Sequence, residues 1–315
     1  MSELLLESSS VSLADTEEQD HRVSGFRRFL SVKSMTGAVL VVVIVLFAVI
    51  GPFVVMDPRA VSSIGLAPPS PEHWLGTTNT GQDVLAQLAY GARGSLIIGV
   101  VVAVAISFLT AFFGMLGAYV GGFVDELFSL LSNVLLIIPG LPLMIVIGSY
   151  VQQKSLWMVA IVLAVTGWAG GARVLRAQTL SLRGRDYVQA SRLSGEKTWR
   201  VLAVEIFPNL LPVISSGFVF GVVGAILGEA GLSFIGIGAS DSITWGTMLA
   251  AAQNGQALLL GAWWWFVPPG LSIALLGCGF ALINFGLDEV INPRLKTYRM
   301  PKLVKRAEND TEARA

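Results

Sequence analysis

The 315-residue chain has very few of the side chains from which metal, redox and catalytic sites are usually built. It contains one cysteine, Cys278, which excludes an intrachain disulfide framework and a metal site made of cysteines. Its two histidines, His21 and His73, are too few for a histidine-rich metal site. No Ser/His/Asp set and no carboxylate pair can be assembled from the sequence. We therefore predict no catalytic residue and no metal ligand in this chain.

Charged residues are also scarce. They make up 13% of the chain, whereas average soluble domains contain about 25%. Hydrophobic residues make up 54%, and the mean hydropathy is +0.70. The 21 basic and 21 acidic residues cancel, so no excess positive charge indicates a nucleic-acid partner. This composition argues against a soluble enzyme and favours a membrane protein.

Six uncharged, apolar segments could each form a membrane-spanning helix, which needs about 20 apolar residues. They are residues 35–55, 94–120, 127–150, 156–172, 206–228 and 264–286. The pairs Pro139/Pro142 and Pro268/Pro269 interrupt the third and sixth segments, and we expect kinks there. The sequence thus predicts an all-α, polytopic membrane protein with six transmembrane helices.

The basic residues indicate the orientation of these helices, because cytoplasmic loops are enriched in Lys and Arg. Eighteen of the 21 basic residues lie before the first span, between the fourth and fifth, or after the sixth. The opposite loops contain only Arg59, Arg93 and Lys154. We therefore place both termini in the cytoplasm, as a 1–34 tail and a 291–315 tail that flank a membrane domain at 35–290. Two loops are longer than a connection requires, an outer one at 56–93 and an inner one at 173–208.

The inner loop has the pattern of two short helices joined by a glycine. Asp186 can cap the first helix, whose apolar side would hold Val188 and Leu193. Gly195 suits the left-handed position that ends a helix. The second helix would carry an apolar stripe of Trp199, Leu202 and Ile206 and would stop at Pro208. Such an element cannot bury its apolar face alone, so we expect it to dock on another protein.

The residues of this loop resemble a known family. Gln189-Ala190-Ser191, then Gly195, then Phe207-Pro208 are similar to the EAA loop of ATP-binding-cassette (ABC) importer permeases. The resemblance extends over most of the chain and is closest to the second, C-type permease subunit of dipeptide, oligopeptide and nickel importers. Its further segments are 75–96, 117–125, 226–238, 245–249 and 292–295.

The resemblance implies a function, a set of partners and a location. The chain would have the type I importer permease fold and form half of a translocation path for dipeptides or oligopeptides in the bacterial inner membrane. Its partners would be a second permease chain, two ATPase subunits that bind ATP and Mg²⁺, an extracytoplasmic substrate-binding protein, a peptide substrate and membrane lipid. The chain has no Gly-x-x-x-x-Gly-Lys-Ser/Thr run, so it should itself hold no cofactor.

In this family the EAA loop is the coupling helix that seats in a groove of the ATPase. The resemblance carries this role to residues that share the loop, namely Tyr187, Gln189, Ala190, Ser191, Gly195 and Pro208. The loop departs from the family pattern at several positions. Ser191 replaces an alanine, and Glu205 stands where the subgroup often has histidine.

Helix five contains further candidate residues. Glu229 lies near its outer end, and an acid in a membrane segment is by default a functional hypothesis. We expect a structural or gating role for Glu229 rather than substrate contact. Small residues at Gly217-x-x-x-Gly221 and Gly224-x-x-x-Gly228 let helices approach closely, either within the subunit or against the second permease.

Other functions remain open at this stage. Within the family, nickel or another small solute competes with peptide as the substrate. A secondary transporter would keep charged residues in mid-membrane for ion coupling, and the predicted spans contain almost none. A membrane sensor or scaffold should carry a soluble output domain, for which six spans leave no room.

Overall fold

The computed structural model describes residues 32–151 and 154–291, and these residues form nine helices. The helices are α1 (Val32–Val54), α2 (Val84–Val120), α3 (Gly122–Ile137), α4 (Gly140–Tyr150), α5 (Leu156–Arg183), α6 (Asp186–Leu193), α7 (Thr198–Phe234), α8 (Trp245–Asn254) and α9 (Trp263–Ile291). Within the described ranges there is no β-strand, only an isolated bridge between Thr77 and Asp83. The predicted all-α class is confirmed.

Five of these helices are long and apolar enough to cross a membrane without a break. A sixth span is formed if α3 and α4, which meet at an angle of 93°, count as one broken helix. The break lies at Ile138 and Pro139, whose backbones are extended. Proline favours an extended residue before it, which explains the predicted kink. Pro142 does not interrupt α4, because it lies in the first turn, where a backbone N–H has no helical partner.

Several predicted helix ends are wrong because the helices continue through charged residues. Helix α2 begins at Val84 rather than at residue 94, so the loop before it ends ten residues earlier than expected. Asp83 caps this helix, since its Oδ1 accepts a hydrogen bond of 2.7 Å from the backbone N–H of Ala86. Helix α5 likewise continues to Arg183 instead of ending at residue 172.

The expectation that Pro208 ends a helix is also wrong. Helix α7 runs without a break from Thr198 to Phe234 and contains a π-helical turn at Val201–Ile206, directly before Pro208. A π turn changes the backbone pairing locally, so the missing N–H of the proline is accommodated. Helix α2 contains a similar π turn at Ala111–Leu116. Helix α9 also continues through Pro268 and Pro269 without a break.

The described chain divides into two compact units. The smaller contains residues 32–36 and 282–291, and in it Gly286 lies so close to Ser34 that a side chain would not fit. The larger contains residues 37–281, where α2, α5 and α7 pack on one another. The rest of the predicted tails, residues 1–31 and 292–315, lies outside the described residues.

Candidate functional site

The predicted coupling segment connects α5 to α7 and is built from one short helix and one tight turn. Helix α6 has eight residues, Asp186–Leu193. Arg185 takes the capping position, so the prediction that Asp186 caps this helix is shifted by one residue. Asp186 lies in the first turn, where a carboxylate interacts favourably with the positive end of the helix dipole.

Gly195 ends α6 in the left-handed conformation that the sequence predicts, with φ of +76°. The N–H of Gly195 donates to the carbonyl of Arg192 at 3.1 Å, and the N–H of Glu196 donates to the carbonyl of Ser191 at 3.2 Å. This pair of bonds is a Schellman motif, which satisfies the last carbonyls of the helix. The turn therefore has one defined geometry, and it fixes the angle at which the chain enters α7.

One side of the segment packs on the neighbouring helices. Val188 of α6 and Ile206 of α7 are fully buried, in a cluster that includes Tyr119 at the end of α2 and Leu175 of α5. The guanidinium carbon of Arg192 lies 5.5 Å from the centre of the Tyr119 ring, within the range of a cation–π contact. These contacts attach the loop to the helices that carry it.

A side-chain hydrogen bond joins the two helical parts of the segment. The Ser191 hydroxyl donates to Glu205 Oε1 at 2.8 Å, which joins α6 to the π turn of α7. Both residues are positions at which we interpret the sequence as departing from the motif that it resembles. The structure brings them together, so they act as one pair and not as two unrelated changes.

Other side chains of the segment are exposed, and several of them are apolar. Leu193 is 89% exposed and Trp199 is 66% exposed, and Tyr187 is also exposed. The predictions that Leu193 shares a face with Val188, and Trp199 with Ile206, are therefore wrong, because Val188 and Ile206 are buried. Five residues turn a helix through about 140° beyond one full turn, which moves Leu193 away from Val188. We call Tyr187, Leu193 and Trp199 the apolar loop surface; exposed apolar side chains that share one short segment in this way favour an interaction site.

The other predicted loop residues lie around this surface. Gln189, Ala190, Gly195 and Pro208 are exposed, and Ser191 is half-buried. No atom lies within 4 Å of the position that a Cβ at Gly195 would occupy. The segment thus offers a partner a short helix, three exposed apolar side chains and open space around Gly195.

The glycines of α7 divide into two sets. A Cβ at Gly228 would lie 2.7 Å from Leu163 Cδ2, and one at Gly221 would lie 3.4 Å from Ala103 Cβ, so these two glycines face helices of the same subunit. Gly217 and Gly224 have no neighbouring atom within 4 Å. Each small-xxx-small pair therefore has one glycine that packs internally and one that faces outward. Glu229 is fully buried near the far end of α7.

Comparison with known proteins identifies the family. Residues 103–297 match the family described as the inner membrane component of binding-protein-dependent transport systems. The chain belongs to this family. It is the transmembrane permease subunit of an ABC importer, a multi-pass protein of the inner membrane. It works with a partner permease and with separate ATPase subunits, and it has no ATPase site of its own.

Individual relatives agree with this assignment. The permease is 33% identical over 271 residues to the dipeptide transport system permease protein DppC of Bacillus subtilis (strain 168), covering 84% of the chain and 82% of the relative. It is 34% identical over 273 residues to the oligopeptide transport system permease protein OppC of the same organism, covering 85% and 88%. It is 31% identical over 264 residues to the probable D,D-dipeptide transport system permease protein DdpC of Escherichia coli (strain K12), covering 83% and 87%.

A solved structure supports the fold. A chain from the inward-facing MetNI methionine ABC transporter aligns with a TM-score of 0.51 and 16% identity, covering 65% of the permease and 94% of that chain. At this identity the similarity concerns the fold alone.

Proposed function

We propose that this permease forms half of the translocation path for dipeptides or oligopeptides, and that ATPase subunits drive it by binding the segment at 186–199. The proposed binding of the ATPase rests on the apolar loop surface. Leu193 and Trp199 are among the apolar side chains that the subunit leaves exposed, although they lie on a segment otherwise held by a Schellman turn and a buried cluster. A rigid segment with an exposed apolar side fits a protein partner.

The proposed partners follow from the family and from the shape of the loop. One ATPase subunit, loaded with ATP and Mg²⁺, would contact the apolar loop surface, and a second would contact the corresponding loop of the partner permease. An extracytoplasmic binding protein would deliver the substrate to the other side. The residues proposed to contact the ATPase are Tyr187, Gln189, Ala190, Leu193 and Trp199, while Ser191 and Gly195 would shape the contact and Pro208 would support it from α7.

Substitution of the apolar loop surface tests this proposal. Leu193→Ser and Trp199→Ser remove exposed apolar area, so we expect the permease to reach the membrane at normal levels but to lose the co-purifying ATPase. Trp157→Ser is the matched control, because Trp157 is 62% exposed but lies in the first turn of α5, at the opposite end of that helix from the loop. Retention of the ATPase by both loop variants would refute the proposed contact.

The proposed orientation places this loop and both termini in the cytoplasm. Single cysteines at Thr80 and Ser240, both exposed, should react with an impermeant thiol reagent in intact cells. A cysteine at Ser194 should react only after permeabilisation. The background must carry Cys278→Ser, since Cys278 is itself exposed. The reverse labelling pattern would overturn the orientation.

The peptide substrate is proposed from the names of the relatives, which refer to dipeptide, oligopeptide and D,D-dipeptide transport. Nickel or another small solute is the alternative. Uptake of a labelled dipeptide, a labelled pentapeptide and radioactive nickel, compared between wild-type cells and cells without the permease, separates the two. Permease-dependent uptake of nickel alone would exclude the peptide proposal.

A further inference from the structure

The carboxyl group of Glu229 is the most unusual buried polar group in the described part of the permease. Glu229 is 0% exposed and lies in the last two turns of α7. Its Oε1 accepts two hydrogen bonds of 2.7 Å, one from the Ser233 hydroxyl and one from the Thr244 hydroxyl. Its Oε2 is buried without a hydrogen-bond partner. Burying a carboxyl group with one oxygen unsatisfied is costly, so it calls for a physical reason.

The two hydroxyls come from different places. Ser233 is four residues further along α7 itself, whereas Thr244 is the residue that caps α8. The same Thr244 hydroxyl accepts from the N–H of Thr247 in a capping box. The Thr244 hydroxyl therefore stabilises the first turn of α8 and also joins α8 to Glu229 of α7.

The carboxyl group also lies against the first turn of α8. A Cβ at Gly246 would come within 3.0 Å of Glu229 Cδ and 2.6 Å of Ala230 Cα, so only glycine allows this approach. Peptide dipoles give the start of a helix partial positive charge, which favours a carboxylate there. The environment of Glu229 is thus built around the N-terminus of α8.

Helix α8 is held to α2 as well. The N–H of Trp245 donates to Ser95 Oγ at 2.9 Å, and its indole Nε1 donates to the carbonyl of Leu88 at 3.2 Å. Trp245 is 1% exposed. Beyond α8 the chain makes a turn in which Leu258 and Leu259 are exposed. The start of α8 is therefore fixed, and its far end leads to an exposed surface.

The same helix that holds Glu229 begins at the proposed coupling loop. Helix α7 has 37 residues without a break, which corresponds to about 55 Å. Its first turns carry Trp199 and the Glu205–Ser191 bond, and its last turns carry Glu229 and Ser233. A displacement of α8 is thus passed to the coupling loop through the polar contact at Glu229, beside the apolar packing of Trp245 and Met248 on α7.

We propose that Glu229 is a positioning residue that locks α8 to the end of α7, so that docking of the substrate-binding protein on the α8 side is transmitted to the coupling loop. This inference rests on the proposed function of that loop. Glu229 contacts neither substrate nor ATP. Loss of the lock uncouples the two sides while leaving assembly and basal ATP hydrolysis in place.

The test uses the complete transporter in proteoliposomes, and it compares ATP hydrolysis with and without the substrate-loaded binding protein. Glu229→Leu removes both acceptor oxygens, and Thr244→Val removes the hydroxyl that reaches across from α8. We expect both to reduce the stimulated-to-basal ratio about fivefold or more, the lower range of allosteric coupling, at unchanged basal rate. Thr244→Ser, which keeps the hydroxyl, should restore the ratio.

Ser233→Ala is the matched control, because it removes an equally short hydrogen bond to the same oxygen within α7 alone. It should leave the ratio near wild type. Normal stimulation in Thr244→Val, or a parallel fall of basal and stimulated rates, would overturn the proposal. If Glu229→Leu fails to assemble, the comparison of Thr244→Val with Thr244→Ser decides. Absence of stimulation in the wild-type transporter would overturn this inference alone, because the loop contact is tested separately by ATPase co-purification with Leu193→Ser and Trp199→Ser.

Discussion

Gly195 offers the sharpest test of the coupling loop, because its surroundings leave only one source of strain. Its φ is +76°, and no atom lies within 4 Å of an added Cβ. Alanine at this position therefore meets no steric clash and bears only the cost of the left-handed backbone, about 1–2 kcal/mol. The loop can relieve that strain by leaving the conformation that presents the apolar loop surface. Binding of the ATPase must then restore that conformation.

A cost of this size corresponds to a change of about 5- to 30-fold in an equilibrium constant. We expect Gly195→Ala to weaken ATPase binding to the solubilised permease by that factor and to lower uptake. Gly195→Asn should have a smaller effect, because asparagine tolerates the left-handed region better than alanine. Gly184→Ala is the matched control, since Gly184 lies at the end of α5 with φ of −80° and no heavy atom closer than 3.8 Å. Equal affinity of the Gly195→Ala variant and the wild type, or an asparagine variant weaker than alanine, would refute this reasoning.

Three further predictions concern packing. Ser191→Ala should lower the unfolding free energy by about 1 kcal/mol in denaturant titrations, since it removes one half-buried hydrogen bond to a carboxylate. An unchanged unfolding free energy would show that this bond does not stabilise the fold. Gly228→Ile should lower the melting temperature and the membrane level, because an α5 side chain occupies the space, whereas Gly224→Ile should leave the isolated subunit intact. The losses of stability in Asp125→Ala and Arg176→Ala should be less than additive in a double-mutant cycle. We expect a coupling energy of about 1 kcal/mol, because Arg176 donates two bonds of 2.7 Å to Asp125 but its side chain is 38% exposed to solvent.

The sequence predicts where the spans are but not where their helices end. Apolar runs identify segments that lipid must cover, so they predict that the second helix begins only after Arg93. The backbone obeys a different rule, since a helix continues as long as its hydrogen bonds are made and its side chains find room. Arg93 is exposed on α2, and Asp83 supplies the cap ten residues earlier. Hydropathy thus marks the membrane, and capping marks the helix.

Proline has different effects at different positions of this chain, for reasons that the sequence alone does not contain. Pro139 breaks a span because the residue before it is extended. Pro208 does not, because a π turn at Val201–Ile206 precedes it. Both π turns of the described chain lie near the coupling loop, at the end of α2 and the start of α7. A pattern with a period of 3.6 residues cannot place side chains correctly across such turns.

The two candidate sites differ in how far the sequence could predict them. The left-handed Gly195 follows from a local pattern, and the structure confirms it. The neighbours of Glu229 come from distant parts of the chain, since Thr244 lies 15 residues away and the anchoring bond of Trp245 joins it to Ser95 across 150 residues. The sequence indicates that a buried acid needs partners, but only the packing of α2, α7 and α8 identifies them.

The bond between Ser191 and Glu205 depends both on a local turn and on the packing of two helices. Taken singly, neither residue has a structural consequence that the sequence reveals. They are 14 residues apart, on opposite sides of the glycine turn, and they meet only because the Schellman geometry at Gly195 folds α6 back toward α7. The hydrogen bond between them in turn holds α6 against the π turn. An alanine at position 191 would have no hydroxyl to donate, so the bond between Ser191 and Glu205 helps to set the angle between α6 and α7.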